Sequence, residues 1–220
     1  MWCIGNLDDE YIKRMEDLLD LYAKPINRNE PVVCLDEKPV VLHSDSRPGV
    51  SCRPGKIARR DYEYVRRGKA NAFYAVAPRL GEHMVRITDC RSAKRFAEML
   101  FQIHRKYVSA KRIHLVVDNL NTHFKKSVVT RYGAHMGSRL WRRFEIHYTP
   151  KHASWLNQAE IAIGMFGGGC LRKRRIPTIE MLTKESSAYE RRINAEERKI
   201  DWQFTKQRAR KKFGYNTPKS

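Results

Sequence analysis

Long apolar runs are missing from this sequence. No stretch approaches the roughly 18 residues of a bilayer-spanning helix, and the opening MWCIGNLDDE is acidic where a secretory leader is basic. Both features predict a cytosolic protein with no membrane partner. Cysteine is sparse: Cys3, Cys34, Cys52, Cys90 and Cys170 are odd in number and form no CxxC or Cys/His pair at ligand spacing. Neither a disulfide framework nor a structural zinc site is expected. No GxSxG occurs and no cysteine sits in a nucleophile context, so serine or cysteine hydrolysis has no support. No GK[ST] follows Gly167, Gly168 and Gly169, which argues against a P-loop phosphate cradle.

Acidic residues are the minority charge: 24 Asp and Glu stand against 44 Lys and Arg, a formal net charge of +20. A field of that sign attracts polyanions. Hydrophobic residues at 41% exclude a disordered basic tail, so the charge decorates a folded body. The 220 residues allow one domain with extensions or two small ones. Residues 1–50 carry 6 Lys and Arg against 10 Asp and Glu, so the excess of base lies after residue 50. It is densest in RPGKIARRDYEYVRRGK (53–69), LRKRRI (171–176) and KQRARKKF (206–213). One such run is ordinarily a solvated face. Three, two of them carrying Tyr62, Tyr64 and Phe213, favour contact with a phosphate backbone.

Hydrophobic periodicity predicts an α/β layer fold with a mixed sheet. Leu7, Tyr11, Met15, Leu18 and Tyr22 define an amphipathic helix ending before Lys24-Pro25. PVVCLDEKPVVLH reads as a buried strand up to Asp36, with Pro39 preventing an uninterrupted ladder. An irregular basic stretch follows. NAFYAVAP (71–78) and HMVRIT (83–88) flank a Leu80-Gly81 turn as a hairpin. Ala93, Phe96, Leu100, Ile103 and Tyr107 mark a helix, IHLVVD an interior strand, 124–135 a helix, and FEIHYT a strand. A helix from Trp155 with Ser154 as N-cap comes next, then one over 178–200, with Trp202, Phe204 and Phe213 pinning the basic tail.

Two apolar strands end on carboxylates, Asp36 and Asp118, and Glu160 borders the buried face of its helix. Each acid alone reads as a turn or capping residue. Together, in a chain this basic, they suit a hard cation such as Mg²⁺ and phosphodiester attack.

In order, VVCLDEKPV, RRDYEYVRRG, VVDNLNTH and FEIHYTPKHASWLNQAEI resemble the DDE transposases of bacterial insertion sequences, in the superfamily that includes mariner. The similarity runs nearly the length of the chain, with 81 residues between Asp36 and Asp118 and 41 between Asp118 and Glu160. It implies a ribonuclease-H-like mixed sheet flanked by helices, with Asp36, Asp118 and Glu160 as catalytic and metal-binding residues for two Mg²⁺ or Mn²⁺ ions. It further implies DNA cleavage and strand transfer at element ends, insertion at TA dinucleotides, and a homodimer in the synaptic complex. The expected location is a bacterial cytoplasm, at the nucleoid when DNA is bound. Asn157 matches the family asparagine before the glutamate, and Lys38 shares the strand face of Asp36 if the strand continues. With His123 and the basic residues Arg59, Arg60, Arg66, Arg67, Arg172, Lys173, Arg174 and Arg175, they make the expected DNA-binding set. For His123, a local hydrogen bond at a helix start is an equal alternative.

The expected organisation is a linker helix over 1–30, a catalytic domain over 31–176, and a helix with a basic tail over 177–220. Nothing before residue 31 resembles the helix-turn-helix region that family members carry, which implies a separate N-terminal DNA-binding polypeptide. Gly164, Gly167, Gly168 and Gly169 interrupt the helix bearing Glu160, and a turn with positive φ is expected near Phe166. A reading of a different class is a truncated or decayed transposase that binds DNA without reacting. A cellular nuclease of the same fold is disfavoured, since the match extends beyond the core.

Overall fold

Alternation of apolar side chains along the strands divides the protein into two cores on opposite faces of one sheet. The computed structural model describes residues 7–120, 123–172 and 174–215. Strands β1 (Val32–Asp45), β2 (Tyr64–Ala77), β3 (Glu82–Thr88), β4 (Ile113–Val117) and β5 (Phe144–Tyr148) lie in the order β3-β2-β1-β4-β5. The first three pair antiparallel, and β4 and β5 run parallel to β1. This is the mixed α/β sheet that the sequence leads one to expect.

Cys34, Tyr74, Val76 and Val116 point to one face, covered by α1 (Asp9–Ala23), α5 (Ala159–Phe166), α6 (Ile179–Ala195) and α7 (Lys206–Phe213). Val33, Leu35, Phe73, Leu115 and Val117 point to the other, under α2 (Ala93–Lys106), α3 (Lys125–Tyr132) and α4 (Ala134–Trp141). Period-2 burial on both sides of the inner strands is why they read as continuous apolar runs. Helix α1 starts where the Asp8 side chain accepts from the Tyr11 amide at 2.7 Å, and it stops before Pro25. The basic tail folds back: Phe204 and Phe213 close on Trp155, and Arg210 and Lys206 pair with Glu16 of α1. Among the described residues no helix is long and apolar enough to cross a membrane.

Several expectations need correcting. Pro39 does not break the ladder, because β1 pairs with β4 only over Val32–Cys34 and beyond that point has an open edge, where a proline is tolerated. The basic stretch is not irregular throughout, since Tyr64–Lys69 already belongs to β2. The helix expected over 124–135 is two helices, split where Gly133 takes φ +80°. Ser154 is not an N-cap: it opens a single 3₁₀ turn, and α5 begins at Ala159.

The glycine run departs furthest from expectation. Helix α5 does not turn away after Phe166 but continues as a π-helical segment, Gly167–Leu171, and none of its glycines has positive φ. A Cβ on Gly168 would meet nothing within 4 Å and one on Gly167 only the Lys38 stem at 3.9 Å, whereas one on Gly169 would lie 2.9 Å from the Tyr189 ring. Tyr189 is buried against Phe166 and has little room to yield. Gly167→Ala and Gly168→Ala should therefore each raise stability by about 0.5 to 1 kcal/mol, through the lower backbone entropy of the unfolded chain. Gly169→Ala should lower the melting temperature, and thermal denaturation of the three single variants checks the opposite signs.

Candidate active site

Strands β1 and β4 part immediately after the Cys34–Val116 pair. Asp36 follows Cys34 by two residues and Asp118 follows Val116 by two, so parallel register sets both acids at the mouth of the cleft between the strands. Crevices at the carboxyl ends of parallel strands are where α/β sheets place their ligands.

Glu160 arrives from the first turn of α5. Its position depends on Asn157, whose side chain is 1% exposed. The Asn157 amide donates to the Leu35 carbonyl at 2.9 Å, and its oxygen accepts from the Ala159 amide at 3.1 Å. One residue thus caps α5 and fastens its start to β1 beside Asp36. That is also why Ser154 is not needed as a cap.

Asp36 carries the electrostatic signature of the cluster. Burial pushes its carboxyl up to about 7, and the charges of Asp118, Glu37 and Glu160 push the same way, against a 2.7 Å hydrogen bond from the Glu37 amide. Glu160 and Asp118 therefore act on Asp36 although they come from different elements. An oxygen-only donor set, half buried, suits a hard divalent cation bound with substrate phosphates.

His123 is 0% exposed. It does not face solvent as a DNA-contacting residue would, but lies stacked on Phe96 between two acids. Its Nδ1 bonds the Asp118 main-chain carbonyl at 3.1 Å and lies 2.6 Å from an Asp118 carboxylate oxygen, and its Nε2 is 3.0 Å from Glu37. Burial alone would lower its pKa, but the hydrogen bonds and charges of Asp118 and Glu37 outweigh this and lift it to about 9. An imidazolium donating from both nitrogens therefore ties Asp118 to β1. Sequence reasoning missed Glu37, although the signal was available: the residue after Asp36 must point to the opposite face, where α2 and the segment after β4 pack.

Lys38 shares the face of Asp36, since β1 continues past it, and its stem runs beside Gly167. The basic residues gather at the far end of β1. Arg59 lies in an exposed bridge with Val50, and Arg66 and Arg67 lie on the exposed start of β2. Arg60 and Arg175 both pair with Asp45, at 2.7 and 2.6 Å, which brings two basic runs distant in sequence into one place. Arg174 pairs with Glu185, Arg172 is exposed, and Lys173 lies outside the described residues.

Comparisons with known proteins agree with this architecture. The "Crystal structure of the Mos1 Strand Transfer Complex" superposes with a TM-score of 0.54 at 15% identity, covering 92% of this chain and 66% of that one. The "Mos1 transposase paired-end complex with left transposon end" gives 0.51 at 14% identity, over 91% and 66%. This chain thus spans about two-thirds of the length of those proteins, and the likeness establishes the ribonuclease-H-like fold. No curated protein matches it in sequence. The family described as DDE superfamily endonuclease matches residues 31–183, which include Asp36, Asp118, the Asn157 dock and Glu160. With most of its length matched in this way, the chain belongs to the DDE superfamily endonucleases.

Proposed function

We propose that this chain is the catalytic domain of a transposase that cuts the ends of an insertion sequence and transfers them to target DNA. The observation that carries the reading is the convergence of Asp36, Asp118 and Glu160 at the parting of β1 and β4, with the Asp36 carboxyl raised to about 7 by burial and its acidic neighbours. The fold it shares with proteins described in paired-end and strand-transfer complexes supports the same reading.

Asp36, Asp118 and Glu160 would hold two Mg²⁺ or Mn²⁺ ions. When bound, such ions lower the pKa of an attacking water or 3′-hydroxyl and stabilise the leaving oxygen. The remaining residues of the site position and bind. Asn157 sets the reach of Glu160, and His123 holds Asp118 in place while neutralising Glu37. Lys38 is placed to meet a phosphate beside Asp36. Arg59, Arg66, Arg67 and Arg172, on the exposed surface, would follow the duplex backbone. The reading extends to DNA element ends and a TA target, a homodimeric synaptic complex, end recognition supplied by a separate polypeptide, and a cytoplasmic, nucleoid-associated location in a bacterium.

Incubation with element-end DNA and Mg²⁺ or Mn²⁺, with and without chelator, tests the proposal directly. Asp36→Asn, Asp118→Asn and Glu160→Gln should each reduce nicking on the order of a thousandfold or more, since each removes a group that stabilises charge in the transition state. DNA affinity should stay level or rise, because a negative charge near the phosphates is lost. Near-normal nicking by any one of them would overturn the triad. Binding without cutting by the unaltered chain would leave the DNA-binding remnant as the better description.

Affinity should fall steeply with salt and vary little with sequence. Arg59→Ala, Arg66→Ala and Arg172→Ala should each reduce the slope of log K against log[salt] by about 1. Truncation before Lys206 would confound this measurement, because it also strips α7 from α1.

In metal-free protein His123 makes stability depend on pH. A histidine whose folded pKa is raised contributes stability that is fully present below its unfolded value of about 6.5. That stability should be lost as pH rises through about 9. Denaturant melts across this range should show the decline. His123→Ala should remove it and cost about 3 to 5 kcal/mol at neutral pH, by leaving Asp118 and Glu37 without their shared partner.

A further inference from the structure

A second cluster of metal-ligating side chains lies on the same sheet, away from the carboxylates. His114 of β4 is in register with Glu145 of β5, and Val116 with His147, so His114, Glu145 and His147 project from one face beneath α1. Both histidines are 7% exposed and Glu145 is half exposed. The Nδ1 of His114 is 3.0 Å from the Nε2 of His147, and the Glu145 oxygens lie 3.8 and 3.9 Å from these nitrogens. One donor atom from each residue falls within 4.8 Å of the other two.

Two flanking contacts organise the cluster. Asp17 of α1 accepts from the His147 Nδ1 at 2.7 Å, which commits the proton to that nitrogen, so the Nε2 lone pair accepts from the His114 Nδ1–H at 3.0 Å, and a cation would enter between them as His114 shifts to its Nε2–H tautomer. Arg112 holds one Glu145 oxygen at 2.8 Å and leaves the other directed at His147. Burial lowers the pKa of His114. A carboxylate, a histidine ring and an outward lone pair in series form the outer-shell arrangement found around metal-bound histidine.

We propose that His114, His147 and Glu145 form a binding site for a borderline divalent cation such as Zn²⁺, with a fourth, water-filled position. Two imidazoles and a carboxylate match the donor preference of zinc, whereas Mg²⁺ favours an all-oxygen set such as Asp36, Asp118 and Glu160. The two sites are therefore distinguished by chemistry as well as by position. His114 sits four residues before Asp118, roughly 13 Å along an extended strand. The ion would fasten β5, the edge of the sheet, to β4 and, through Asp17, to α1. Sequence spacing could not show this site, because its ligands come from two strands and none is a cysteine. The expectation of no structural zinc rested on cysteine alone.

Co²⁺ serves as the probe, titrated into the metal-stripped full chain in excess Mg²⁺, followed by its visible bands, which are far more intense for a tetrahedral nitrogen-ligated ion than for an octahedral oxygen-ligated one. One equivalent of Co²⁺ should develop the bands, and Zn²⁺ should abolish them and raise the melting temperature. Glu145→Gln, at an exposed position that keeps the fold, and His147→Gln should abolish the bands. Asp17→Asn should weaken binding about 10- to 100-fold. Asp36→Asn and Glu160→Gln should leave the bands unchanged. Absence of tetrahedral bands in the unaltered chain, their persistence in Glu145→Gln and His147→Gln, or their loss in Asp36→Asn would each overturn the proposal.

Discussion

The three residue pairs that join β1 to β4 are the constraint on which the rest of the site depends. While paired, both strands bury apolar side chains on two faces. Once they part, each chain emerges with its backbone still aligned but no partner across the gap. Asp36 and Asp118 stand at that point, because equal spacing beyond one registered pair delivers equal positions in space. A longer pairing would enclose both acids within the sheet, where their desolvation would be prohibitive. A shorter one would leave their relative placement to flexible chain. The open edge that makes the cleft also accommodates Pro39, so β1 can run on with β2 and carry Lys38 past the acids.

Charge organises the neighbourhood as firmly as packing does. Three carboxylates, Glu37, Asp118 and Glu160, lie close enough for their charges to act on Asp36, and one imidazolium binds two of them. Glu37 and Asp36 are adjacent in sequence but point to opposite faces, so the sheet itself separates the compensated acid from the uncompensated one. His123 reaches both Asp118 and Glu37 because it follows β4 closely enough to fold back beneath it, against Phe96 of α2. The result is a layer of neutralised charge, Glu37 and Asp118 on one imidazolium, behind Asp36 and Glu160.

Much of this was legible in the sequence, and the exceptions share a physical cause. The apolar runs leading to Asp36 and Asp118, the hairpin around Gly81, the periodic face of α2 and the aromatic anchoring of the tail all depend on local periodicity, which a linear reading captures, although β1 runs on to Asp45 rather than ending at Asp36. The roles of Asn157 and His123 do not. Both residues appear polar and available in sequence, yet both are consumed by partners more than 80 residues away, Leu35 and Glu37. The glycines misled for another reason. Their intrinsic cost in a helix is real, but tertiary contact held the backbone right-handed, with Gly169 small enough to let Tyr189 close on it. His114, Glu145 and His147 were invisible because strand register, not spacing along the chain, brings them together.

Asp45 gives the basic surface an internal counter-ion. Arg60 and Arg175 approach it from different segments, so their charge is already answered before any ligand arrives. A phosphate that took either arginine would first have to break an existing ion pair and leave Asp45 to be resolvated, although cations condensed on the DNA would still be released. The affinity gained on DNA association would then be smaller than a count of arginines implies. Weak and abundant polyanions would compete poorly for this part of the surface, whereas a ligand held in place by neighbouring contacts could still claim it. Self-pairing of this kind makes a strongly basic protein more selective without any contact to a base.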